Sequence, residues 1–339
     1  MEAISKKESL ALRGLCMTLV VLHNFIHVVV PYTENEKWFD PVNADFFIHN
    51  ILDHPILGSL SYLGWFGLPM FFFLSGYGLS IKYGNIVPNK LSFIMRHYLK
   101  LVLLGAPVII LSNILVKTPV LHIFDQVTLL SNIFTNNWIR PRSFWYLSAA
   151  LEFYILYALI IYRISPKILL GVAFAITCSF YFFSWSQIEL FKYHHIGWIL
   201  EFSLGVYLAR NTKLMKYIEN IYVSIALLII LLYSSVNEHI WIFSSFLSVL
   251  FFLSIKKYLC NKLIIYIGSI SAFLYATHAA VRNVWDYIDF SIDYMNGNVL
   301  LIFVSIAGYF LLCILVAVIY RLYYKNALSA VQRKIFQKQ

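Results

Sequence analysis

Ten mostly apolar runs follow one another along the chain, at residues 10–30, 60–81, 98–116, 144–162, 168–185, 195–209, 221–235, 240–255, 263–281 and 299–320. A helix needs about 20 such residues to cross the hydrocarbon core of a bilayer. Within that core the backbone must satisfy its own polar groups, which a helix does. The pattern therefore predicts an all-α fold: a polytopic membrane helix bundle of about ten transmembrane helices. The runs at 195–209, 221–235 and 240–255 are short, so nine or eleven spans fit the same pattern. Composition agrees, with 60% hydrophobic and only 12% charged residues and a mean hydropathy of +0.74, far from the balance of a soluble domain.

Charge placement orients the bundle. A formal charge of +10 on 339 residues raises the question of nucleic acid. The basic residues, however, cluster between alternate apolar runs, which is the asymmetry of a positive-inside membrane protein. With the N-terminus inside, every lysine and arginine except Lys37, Lys117, Arg140, Arg142, Lys192 and Arg282 falls on the cytoplasmic side. The expected topology puts both termini in the cytoplasm of a multi-pass protein of the cell inner membrane, with lipid bilayer and no nucleic acid as partner. Residues 1–325 form the transmembrane domain, and 326–339 a basic cytoplasmic tail suited to anionic lipid. Lys6 and Lys7 precede an apolar run that continues past signal-peptide length, so the first helix is expected to be retained. The longest external segments, 31–59, 117–143 and 282–298, carry Trp38, Phe39, Phe46, Phe47, Trp138 and Trp285, suited to the membrane interface or to sugar stacking. Cys16, Cys178, Cys260 and Cys313 lie in or beside apolar runs without close pairing, so neither disulfides nor a metal site is expected.

The first run holds Arg13 near its start and His23 and His27 near its end, and ionisable groups inside a membrane are costly enough to be read first as functional. At about 1.5 Å per residue Arg13 and His23 stand ~15 Å apart along a helix, too far for one hydrogen-bonded pair. At about 100° per residue His23 and His27 share a face, and Arg13 lies within ~80° of both. All three can line one cavity, as the two ends of a long ligand site. Glu152 and Glu201 also fall within spans, where an unpaired charge is expensive, and are expected to bond another helix or pair with a histidine or arginine.

Four strings carry a resemblance. They are Leu12-Arg13-Gly14-Leu15 leading to His23, Phe71-Phe72-Phe73-Leu74-Ser75-Gly76-Tyr77, Ser143-Phe144-Trp145-Tyr146-Leu147, and Ser271-Ala272-Phe273-Leu274-Tyr275-Ala276-Thr277-His278. A weaker echo is Glu201-Phe202-Ser203-Leu204-Gly205-Val206-Tyr207-Leu208. In this order they resemble the acyltransferase 3 family of integral-membrane acyltransferases, which modify bacterial surface carbohydrates. The family usually places ten residues between the first-span arginine and histidine; here nine separate Arg13 from His23, and Asn24 occupies the ungapped slot. Either His23 takes the family histidine's role or His27 does.

The resemblance implies transfer of an acyl group from acyl-CoA, acetyl-CoA above all, to a hydroxyl of a glycan or lipid-linked glycan. Acyl-CoA would act as co-substrate, with no permanently bound cofactor. Such chemistry needs a base for the hydroxyl proton, for which histidine is suited. His23 and His278 are the catalytic candidates, and Arg13, Arg96 and Ser75 the candidates for binding the donor. Asn24, His27, Trp145, Glu152, Glu201 and Tyr275 are further candidates for the cavity. The Ser75-Gly76-Tyr77-Gly78 string lacks the strand-to-helix setting of a hydrolase elbow and suits close helix packing. Two other classes use the same residues: an anion or small-molecule transporter or channel lined by Arg13 and the histidines, and a di-histidine haem protein built on His23, His27 and His278. The oligomeric state is not legible in the sequence.

Overall fold

The computed structural model describes residues 4–29, 37, 39–53, 55–87, 89–115, 120–130, 132, 144–182, 192–288 and 299–336. Trp38, Trp138, Arg140, Arg142, Ser143 and part of each of the three long external segments lie outside these residues. The described helices are α1 (Lys6–Val29), α2 (Pro41–Asn50), α3 (Pro55–Leu63), α4 (Pro69–Tyr83), α5 (Lys90–Leu115), α6 (Val120–Val127) and α7 (Trp145–Leu159). They continue with α8 (Pro166–Phe182), α9 (Ile199–Arg210), α10 (Met215–Ile218), α11 (Ile221–Ser235), α12 (Ser244–Ile255), α13 (Lys262–Ile288) and α14 (Val299–Phe336). No strand occurs among the described residues.

Among the described residues each apolar run is mainly helical, but the helices differ in length. Six helices among the described residues are long and apolar enough to cross a membrane, and α10 with α11, bent by 82° at their junction, make a seventh if counted as one span. Trp145–Leu159 and Pro166–Phe182 are shorter apolar helices. The run at 195–209 divides into a 3-10 turn, His195–Trp198, and the twelve-residue α9. Local chemistry fixes the boundaries. Ser5 and Glu8 form a capping box at the start of α1, Ser5 Oγ accepting from Glu8 N at 3.2 Å and Glu8 Oε2 from Ser5 N at 2.8 Å. Asp40 caps α2, Asn89 precedes α5, and Asn220 caps α11 through Tyr222 N at 2.9 Å.

The chain forms two compact units. The first comprises Met1–Pro88 and Leu159–Ser269, the second Asn89–Ala158 and Ile270–Gln339. In the first unit α1 is the central helix: no residue from Glu8 to His27 is exposed. Around it pack α3, the 3-10 turn Gly64–Gly67, α4, the turn Lys256–Leu259 and the first turns of α13. Glycines set these distances. A Cβ on Gly67 would lie 2.4 Å from Cys16 O, and one on Gly76 of α4 2.2 Å from Phe202 O of α9. Reciprocally, a Cβ on Gly205 would lie 2.1 Å from Phe73 O. Helices crossing this closely gain dispersion contacts that lipid cannot supply, which is how small residues hold membrane helices together.

In the second unit Leu104, Val108, Ile109, Leu129, Phe144, Leu147, Leu151, Ala276 and Ala280 form the core. The Tyr320 hydroxyl of α14 donates to Leu104 O of α5 at 2.8 Å, and Asn113 Nδ2 of α5 to Gln126 Oε1 of α6 at 3.0 Å. Outward faces remain apolar in both units. Leu311, Leu315 and Ile319 line one face of α14, and Ile225 and Ile229 one face of α11, all more than half exposed. Stripes of this kind are a liability in water and the ordinary surface of a helix in lipid.

Candidate functional site

The histidines of α1 occupy a tightly constrained place in the first unit. His23 is 6% exposed, and its Nδ1 lies 2.6 Å from Ser61 O at the end of α3. A carbonyl only accepts, so Nδ1 carries the proton in this contact, which in a neutral imidazole leaves Nε2 the lone pair. Gly64 makes this approach possible: a Cβ there would stand 2.9 Å from both His23 Cβ and Leu19 O. His27 sits one turn on, its Nδ1 2.6 Å from His23 O and its ring centroid 4.8 Å from that of His23. The shared face expected of the two histidines is thus realised as ring contact. Asn24 Nδ2 donates to Val20 O of its own helix at 2.8 Å.

Arg13 lies near the other end of α1, half-buried, and makes no hydrogen bond or ion pair among the described residues. An interior guanidinium in that condition is suited to a ligand anion. Ser75 Oγ donates to Phe71 O at 2.8 Å, a bond within α4 that directs its proton back to its own helix.

Glu201 opens α9 and is 1% exposed. Its Oε1 accepts from Lys37 Nζ at 3.3 Å and, through a short contact, from Ser245 Oγ of α12. The expectation of a bond to another helix is met by Ser245, while the charge partner is a lysine from the segment after α1 rather than a histidine or arginine. Lys37 is itself 4% exposed, donates to Ser245 Oγ at 2.9 Å and stands 4.4 Å over the Trp198 ring. Burial pushes the Lys37 ammonium below its usual range, and Glu201 opposes that shift. Trp241 Nε1 donates to Lys37 O at 2.9 Å, so side chain and backbone are both held.

Sequence reasoning passed over Lys37 as one of six external cations. Its signal was its isolation: it is the sole lysine or arginine in 31–59, set beside Trp38 and Phe39. A second buried cation was also passed over. Lys256, 2% exposed, bonds Glu8 Oε1 at 2.6 Å and Glu219 Oε1 at 2.7 Å, and Lys257 pairs with Glu219 as well. These four residues come from three segments whose charge pattern assigns them all to the cytoplasmic side.

The remaining candidates belong to the second unit. His278 is 2% exposed on α13, with Nδ1 2.7 Å from Tyr275 O and its own carbonyl accepting from the Tyr309 hydroxyl of α14 at 3.1 Å. The Tyr275 ring lies 5.8 Å from His278 and meets Tyr146 of α7 edge-on at 5.2 Å. Tyr275, His278 and the start of the Trp145 helix are therefore brought together. Glu152 is half-buried on α7, and Arg96 is exposed on α5.

Apolar helices enclosing an arginine, contacting histidines and a buried carboxylate define a multi-pass membrane protein with a polar interior. The sequence model of the acyltransferase 3 family, described as an acyltransferase domain, matches residues 10–319, nearly the whole chain, and the chain belongs to that family. It is a membrane acyltransferase. No curated protein and no solved structure matches it.

Proposed function

We propose that the chain transfers an acyl group, acetyl in the first instance, from cytoplasmic acyl-CoA to a hydroxyl of a cell-surface or exported glycan at the inner membrane, with His23 as general base. The observation that carries this reading is the 2.6 Å bond from His23 Nδ1 to Ser61 O of α3, which leaves Nε2 as the nitrogen suited to act as base, on the same helix, α1, as Arg13. Arg13 receives the phosphates of the donor by charge-assisted bonds. The extended pantetheine arm covers the ~15 Å along α1 to the histidine. His23 Nε2 then removes the acceptor hydroxyl proton as that oxygen attacks the thioester carbonyl. Collapse of the tetrahedral intermediate breaks the C–S bond, and the departing thiolate takes the proton from the imidazolium. His23 ends neutral, and the products are ester and free CoA.

His27, its ring tilted against that of His23 at 4.8 Å, steadies the imidazole. Ser75, in the same unit as Arg13 and His23, belongs to the donor side of the reaction. The test is transfer of label from radiolabelled acetyl-CoA to membrane glycan in vesicles containing the protein, with mass spectrometry of surface carbohydrate made with and without it. Label should reach an ester in wild type and not in His23→Ala inserted at equal level. Full transfer by that variant overturns the assignment, and anion flux without consumption of acyl-CoA favours a carrier.

A further inference from the structure

Glu201 is buried, and its Oε2 has no hydrogen-bond partner among the described residues. Lys37 is the cation that meets it. The same ammonium sits over Trp198, which stacks on Phe72 of α4 at 4.7 Å and approaches Trp65 at 6.0 Å. Trp65 belongs to the 3-10 turn Gly64–Gly67, whose Gly64 abuts His23 and which follows the α3 residue Ser61 that accepts from His23 Nδ1. A second route runs along α12. Ser245 bonds both Lys37 and Glu201, and one turn later Ser248 Oγ donates to Phe66 O of that same turn at 3.3 Å.

From this contiguous set of contacts we infer that Lys37, clamped between Glu201 and Ser245, is a positioning residue. It braces the tryptophan layer that holds the Ser61–Gly67 segment against α1 and so keeps His23 in its Nδ1–H tautomer. The inference rests on the proposed role of His23. Physically, the clamp is a buried ion pair of modest intrinsic gain whose value lies in fixing one arrangement. A histidine whose orienting carbonyl shifts loses both its tautomer and its aim, and coupling of this sort travels through packed rings and hydrogen bonds with few alternative arrangements.

The test uses the full chain in lipid nanodiscs, labelled with ¹⁵N-histidine, with the His23 resonances identified by their loss in His23→Gln. The double variant Lys37→Met/Glu201→Gln removes both charges and leaves none buried alone. It should melt close to wild type, show His23 signals moved toward the Nε2–H tautomer, and lose kcat at unchanged KM for acetyl-CoA. The fall should be at least about tenfold, within the loss that a ~1 Å misplacement brings. Ser245→Ala, a mild change, should move both readouts in the same direction by a smaller amount, and it decides the matter if the double variant does not insert. Wild-type His23 signals and kcat in a folded variant overturn the inference. Displaced signals in variants of a protein whose wild type transfers no acyl group retain the positioning role and reject the reaction.

Discussion

Gly14 of α1 and Gly268 of α13 face one another at a separation that no other residue tolerates. A Cβ on Gly14 would lie 1.9 Å from Ile264 O, and one on Gly268 1.8 Å from Leu10 O. The glycine beside Arg13 in the first-span string is thus a packing residue, and the arginine's position follows from a helix crossing. Gly14→Ala and Gly268→Ala should each destabilise by at least the ~1–3 kcal/mol typical of overpacking, because the obstacle is backbone and cannot rotate away. Thermal melting in detergent measures it. Gly78→Ala and Gly171→Ala, with nothing within 4 Å of the added Cβ, serve as neutral controls.

The two histidines of α1 should separate cleanly. His23→Gln removes the imidazole bonded to Ser61 O, and the loss in kcat should fall in the ~10²–10⁴-fold range of a general base. His27→Gln leaves that bond in place and should cost no more than about tenfold, a loss of orientation rather than of the base. The measurement is steady-state transfer from acetyl-CoA at matched protein levels. A larger loss in His27→Gln than in His23→Gln would assign the base to His27.

Much of this arrangement was legible in the sequence, for identifiable reasons. Apolar runs near 20 residues leave the backbone little choice but helix, and the i, i+4 spacing of His23 and His27 forces a shared face. The breaks were hidden: the 3-10 turn at His195–Trp198 and the 82° bend before Ile221 arise from packing, and hydropathy does not register them. So were the long-range ion pairs. Lys37 and Glu201 are 164 positions apart and Lys256 and Glu8 are 248 apart. No local pattern announces which loop lysine a buried carboxylate will meet. The strings that suggested a site proved to mix two kinds of residue, since Gly14, Gly76 and Gly205 serve helix contact while Arg13 and His23 carry polar groups into the interior.

Arg13 should govern donor affinity rather than chemistry. A hydrogen bond to a charged group contributes about 1.5–3 kcal/mol. Arg13→Gln should therefore raise KM for acetyl-CoA about 10- to 100-fold, with kcat altered much less, as expected when binding is lost equally from ground and transition states. Raising the salt concentration should weaken donor binding in wild type more than in the variant, since screening acts on the charge the variant lacks. A fall in kcat at unchanged KM would move Arg13 from the donor's phosphates to the reacting centre.

The cluster around Lys256 gives a prediction whose size depends on pH. Burial alone would raise the Glu219 carboxyl, but its bonds to Lys256 and Lys257 outweigh that and hold it below its ordinary value of 4.5. A carboxylate lowered on folding stabilises the fold fully above that ordinary value and loses the contribution as pH falls through the lower, folded one. Wild-type stability from this group should thus be flat between about pH 7 and pH 5 and decline only in stronger acid. Lys256→Met removes the cation between Glu8 and Glu219, leaving two carboxylates that are 15% and 13% exposed. Their residual contact with water places the cost at the lower end of the ~3–5 kcal/mol found for broken buried pairs. With one cation gone, Lys257 still pairs with Glu219 and Ser5 with Glu8, but burial is opposed by fewer partners, so the carboxylates are lowered less than in wild type and less stability remains to be lost in acid. The deficit of the variant should stay constant from about pH 7 to 5 and narrow in stronger acid, where wild type loses a contribution that the variant no longer has. Melting curves of the two proteins from neutral pH into that acid range test the sign, and a deficit that widens toward acid would show that Lys256 is not the cation holding these carboxylates ionised.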